Sequence, residues 1–80
     1  MYITLISTFD RDIDRAIELG KTGIPVRFER DGEHNTRDLE VLLKFQEAGF
    51  VHRICSYRGK FEKNAICVEF IATDKARGNG

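Results

Sequence analysis

Apolar residues recur along this chain with two periods, and the change from one to the other marks its elements. Tyr2, Ile6, Phe9, Ile13, Ala16 and Ile17 are spaced by threes and fours, save one step between neighbours, the stripe of an amphipathic helix. The helix is placed from about Thr8, because the segment before it contains YITLI, which reads equally as a strand. Ser7, Thr8 or Asp10 can cap it, and Asp10, Asp12 and Asp14 suit the positive end of its dipole. Gly20 and Gly23 close it. From Ile24 to Arg30 the period falls to two, with Ile24, Val26 and Phe28 on one side and Arg27 and Glu29 between them, a half-buried strand. Pro25 lacks an amide donor and belongs at the start of that strand or on an edge.

After a polar turn over Asp31 to Asn35, the stretch TRDLEVLLKFQEAGFV predicts a second helix capped by Asn35 or Thr36. Leu39, Val41, Leu42, Leu43, Phe45 and Ala48 give it a broad apolar face, that of a central packing element. Gly49 can take the left-handed conformation that ends a helix cheaply. Two strands follow, Val51 to Tyr57 and Ala65 to Thr73, joined by the loop RGKFEKN. In the second, Ile66, Val68 and Phe70 alternate with Cys67, Glu69 and Ile71. The order α-β-α-β-β predicts an α+β domain over residues 1–73, two helices on a three-stranded, mainly antiparallel sheet, with 74–80 as a flexible tail. Its expected core is Phe9, Ile13, Ile17, Val26, Phe28, Leu39, Leu42, Phe50, Ile54, Val68 and Phe70.

Length narrows the chemistry. Eighty residues, 41% of them hydrophobic, make one core and leave little for a separate cavity. Cys55 and Cys67 lie in the two strands of one hairpin and are near enough to pair. With no signal peptide to mark an oxidising compartment, two reduced, partly buried thiols are the expectation. His34 and His52 are isolated, and no metal-ligand spacing accompanies them, so no metal and no cofactor are expected. The three aspartates of the first helix read as capping. No run is long and apolar enough to span a bilayer. No acid, base and nucleophile are coupled at motif spacing and there is no glycine-rich phosphate loop, so no enzyme is expected.

Thirteen basic and thirteen acidic residues give a net charge of zero, which argues against binding nucleic acid by bulk electrostatics. The distribution is uneven. Residues 10–50 hold ten acids and seven bases, a balance of −3, whereas 51–80 hold six bases and three acids, a balance of +3. Arg58, Lys60 and Lys63, with Tyr57 and Phe61 interleaved, suit contacts to phosphates and bases; an ordinary solvated hairpin has the same composition.

Across residues 8–73 the chain resembles the N-terminal domain of the small-subunit ribosomal protein eight family. Glu47-Ala48-Gly49-Phe50-Val51 approximates that family's Glu-Gly-Phe-Ile-like signature at the end of its second helix. Gly20, the strand Ile24–Arg30 and the hairpin HRICSYRG and AICVEFIA fall where the family places its counterparts. Two features depart from it. The family's Arg-x-Arg-Asn-like run in helix one is Ala16-Ile17-Glu18-Leu19 here, and the family's second, RNA-binding domain has no counterpart. The resemblance implies a structural half-domain of an organellar, for instance mitochondrial, ribosome. Such a half-domain would bind rRNA and neighbouring ribosomal proteins, including a separate chain carrying the C-terminal half. It would use Asn35, Thr36 and Arg37, by their family-like position at the start of helix two, together with Arg53, Arg58, Lys60 and Lys63 of the positive C-terminal part. From the residues themselves two other readings stand. One is a small phage- or plasmid-encoded regulator that binds a single protein target, in the cytoplasm. The other is a winged-helix DNA binder, for which the second helix is too apolar to read a groove.

Overall fold

In the computed structural model, which describes residues 1–30, 36–55 and 66–78, the ambiguous N-terminus is a strand. Ile3–Leu5 forms β1, followed by α1 (Asp10–Gly20), β2 (Val26–Arg30), α2 (Thr36–Glu47), β3 (Phe50–Ile54) and β4 (Ile66–Ala72). The chain is an α+β domain. The expected three-stranded antiparallel sheet has four strands in the order β1-β2-β4-β3, and it is mixed. β1 runs parallel to β2, while β4 lies antiparallel to both β2 and β3. Ile3 draws β1 into the sheet by donating its amide to the Pro25 carbonyl at 2.8 Å. That proline stands just before β2 and uses only its acceptor, as its chemistry requires.

β2 and β3 are parallel to one another, with β4 inserted between them. A β-α-β unit through α1 is therefore followed by a split β-α-β unit through α2. Both helices pack on one face of the sheet. Ile13, Ala16 and Ile17 of α1 and Val41 and Phe45 of α2 form a single core with Leu5, Val26, Phe28, Phe50, Phe70 and Ala72. Of the expected stripe Ile13, Ala16 and Ile17 are buried, with Gly20 beside them, whereas Tyr2 and Ile6 lie outside α1 and are exposed.

Three expected core residues are outside. Phe9 is the residue before the first turn of α1 and stands 68% exposed. Leu39 is 66% exposed because the sheet covers the Val41–Phe45 side of α2, and the helix is apolar over a wider arc than its contact needs. Ile54 ends an edge strand where neither helix covers it, and is 86% exposed. Leu42 and Val68 are half-buried against the core. The centre of α2 is Phe45, fully buried, with its ring 5.2 Å from that of Phe50 in an edge-to-face arrangement.

The start of α1 has no side-chain cap; the Ser7 hydroxyl instead accepts the Phe9 amide at 3.1 Å. Gly49 follows α2 with φ +92°, the left-handed conformation expected of it. Beyond β4 the chain turns over residues 74–78. Arg77 N–H donates to the Thr73 carbonyl at 3.1 Å, and Ala76 packs against the core close to Gly49.

The cysteines are joined, contrary to the expectation of free thiols. Cys55 and Cys67 form a disulfide with their Cα atoms 5.2 Å apart. The register explains it: Ile54 faces Val68, so the next residue of β3's path faces Cys67, and Cys55 N–H donates to the Cys67 carbonyl at 2.9 Å. Directly opposed residues on one face of an antiparallel pair meet the separation a disulfide needs.

Candidate functional site

Of the residues expected to contact RNA, Asn35, Arg58, Lys60, Lys63 and the side chain of Thr36 lie outside the described part. Arg37 and Arg53 lie within it, and the structure keeps them apart and engages both internally. Arg37 sits in the first turn of α2. Its guanidinium donates to the Asp10 and Glu40 carboxylates and to the Thr8 carbonyl, the last at 3.0 Å from Nη2. Lys44, two turns further along, reaches the same Asp10 carboxylate at 3.0 Å and Asp14 at 3.8 Å. Two cations of α2 therefore hold the start of α1. Hydrogen bonds from Lys44 and Arg37 lower the Asp10 pKa below the ordinary aspartate value of 3.8, and the Asp10 and Glu40 carboxylates raise that of Arg37. The third aspartate, Asp12, has Arg11 at 3.9 Å. Among the described residues no cluster of His, Cys, Asp or Glu could hold a metal ion, and no helix is long and apolar enough to cross a membrane.

Arg53 lies on the other face of the sheet, the one without helices. Thr4, Arg27, Glu69 and Arg53 form a row across all four strands. Arg53 Nε donates to Glu69 Oε2 at 2.6 Å, and Glu69 is only 5% exposed although it faces away from the core. Arg27 stacks its guanidinium on the Tyr2 ring at 4.1 Å from the centroid. Val51 and Ile71 pair beside this row, both exposed. This face is thus an Arg-Glu-Arg row, one positive charge in excess, with an apolar margin.

The two outer strands of the sheet carry or adjoin exposed apolar side chains, with His52 and Arg53 also exposed on β3. Edge strands normally present charged groups that discourage pairing. Here β1 is followed by Ile6, 82% exposed, and β3 carries exposed Val51 and Ile54. On α2, Leu39 and Leu43 are exposed on one side of the helix. His52, on β3, has its Nδ1 3.4 Å from Gln46 Nε2 and makes no further polar contact among the described residues.

Between β1 and α1 runs an open groove of about 440 Å³. One wall is the strand and its continuation, Ile3 to Ser7; the other is Asp12, Arg15, Ala16 and Leu19 of α1. The helical residues follow the i, i+3, i+4, i+7 spacing of a single face, so the groove is a strand edge alongside a helix stripe. Arg15 and Leu19 do not stand out in the sequence, and Ile6 reads there as part of a helical stripe. A strand reading of YITLI, set beside the half-polar flank of the first helix, is the signal that points to them.

Compared with known protein families, curated proteins and solved structures, the chain matches none.

Proposed function

We propose that this chain acts without catalysis, by binding another protein through β1 and β3, the outer strands of its sheet among the described residues. The observation that supports this reading is the exposure of Ile6 beside β1 and of Val51 and Ile54 on β3. Apolar side chains on unprotected edge strands invite pairing with another chain. The charges fit the same reading, because Arg37 and Arg53 are paired within the molecule and would lose those partners on turning to a phosphate.

A second reading, rRNA binding in the manner of the ribosomal protein eight family and within an organellar ribosome, draws support from the +3 balance of residues 51–80. It would rest on Arg58, Lys60 and Lys63. Photo-crosslinking separates the two readings. A photoreactive residue at Ile6 or Ile54 should trap one defined protein in cells, whereas the same group at Lys75 should trap none. Recovery of RNA instead, with affinity that falls steeply with salt and loses about one unit of slope for each of Arg58, Lys60 and Lys63 removed, would replace the first reading with the second.

A further inference from the structure

We propose that the groove between β1 and α1 takes an extended peptide of a partner protein, apolar at alternate positions and bearing one carboxylate, which adds to the sheet beside β1. The proposal rests on the protein-binding reading and locates it at one edge. Three independent features of the groove define the occupant.

The first is the backbone. Ile3 N–H is turned toward β2, where it meets the Pro25 carbonyl at 2.8 Å. Successive residues of a strand point their amides to opposite sides, so the Thr4 N–H and C=O point away from the sheet. Neither has a partner among the described residues. An unused donor and acceptor on one edge residue are what an incoming strand requires.

The second is the wall. Leu5, Ala16 and the exposed Ile6 and Leu19 line the groove. A strand lying beside β1 turns alternate side chains toward α1, and those would meet Ala16 and Leu19. The occupant is therefore apolar at every second residue.

Charge is the third. Most cations around α1 are matched: Arg37 and Lys44 with Asp10, Lys21 with Glu18 at 3.0 Å. Arg15 is exposed on the groove and has no carboxylate partner among the described residues. It is placed to donate to an Asp or Glu side chain, or a terminal carboxylate, as a charge-assisted pair. Asp12 lies in the same wall and disfavours a second acid, so one carboxylate satisfies the site.

The test uses the full chain with its disulfide intact. Short random peptides displayed on phage are selected on it, and a selected peptide is measured by fluorescence polarisation and by amide chemical shifts of the labelled chain. The expected peptides alternate apolar residues with one Asp or Glu, shift the amides of residues 2–7 and 12–19, and protect the Thr4 amide from exchange. Thr4→Pro removes the outward donor without touching the ladder to β2, and Arg15→Glu reverses the charge. Each should weaken binding by about tenfold with an unfolding midpoint close to that of the parent. A peptide whose acid is replaced by Lys should recover binding to Arg15→Glu. Failure to select any peptide overturns the proposal. So do peptides that bind Thr4→Pro and Arg15→Glu as well as the parent or shift only β3, and so does a dimer of the chain abolished by Thr4→Pro. In each of these cases the wider protein-binding reading still stands or falls by the crosslinking at Ile54.

Discussion

Phe45 of α2 lies face to face on Phe70 of β4, the ring centroids 4.1 Å apart and the planes within 9° of parallel. β4 is the strand inserted between β2 and β3, so this one contact ties the second helix to the middle of the sheet. Phe50 meets the other side of the same cluster edge-on. Phe45 is thus the point at which α2, β3 and β4 are joined.

Truncating Phe45 to Ala should cost about 3–5 kcal/mol, the range for a buried aromatic, a large part of the stability a domain of this size has. Leu39→Ser, on the exposed side of the same helix, should change stability by no more than about 0.5 kcal/mol. Urea denaturation of the two variants checks both values. Equal losses would show that Phe45 does not lie on the buried face of α2.

Gly20 is required for its lack of a side chain. A Cβ there would stand 2.7 Å from the Phe50 ring and 3.0 Å from Val26 Cγ2. Gly20→Ala should therefore destabilise by about 1–3 kcal/mol, as overpacking does, despite alanine's better helix propensity. Pairing it with Phe50→Leu should recover part of the loss, which a double-mutant cycle measures. A Gly20→Ala chain more stable than the parent would contradict the close approach of α1 to Phe50.

The Cys55–Cys67 disulfide closes a loop between residues 12 apart in sequence. Reduction should lower stability by about 3 kcal/mol through the freed loop entropy of the unfolded chain. Thiol labelling under denaturing conditions should modify neither cysteine before reduction and both after it. Labelling of both without reductant would show that the purified chain carries free thiols.

Acid should loosen the junction between α1 and α2 before the rest. Asp10 is held below its usual value by Lys44 and Arg37. A depressed carboxylate contributes stability that is present above its unfolded value and is lost as the pH falls through its folded one. The unfolding midpoint should therefore fall as the pH drops below the ordinary aspartate range, and Asp10→Asn should flatten that slope while lowering the midpoint at neutral pH. An unchanged slope in Asp10→Asn would show that the ion pairs with Arg37 and Lys44 contribute nothing in solution.

Periodicity alone determined both helices, the inward sides of β2 and β4 and the turn at Gly49, because these depend on neighbours a few residues apart. The positions of Ile13, Ile17, Val26, Phe28, Phe50 and Phe70 in the core follow directly from spacings of 3.6 and 2. Tertiary structure decided what depends on distant partners. YITLI became a strand because Pro25 offered it a carbonyl beside β2. Phe9, Leu39 and Ile54 lie outside because apolar pattern says which side of an element is greasy but not how far its neighbour extends over it. Arg37 and Arg53, which in sequence look free to meet an anion, were claimed by Asp10, Glu40 and Glu69 from other elements. The pairing of Cys55 with Cys67 was decided by the register of β3 on β4, which no local pattern encodes. The groove at β1 exists because the parallel pairing of β1 with β2 leaves Thr4 on an edge that no other described strand pairs with, in one lining with Arg15 and Leu19.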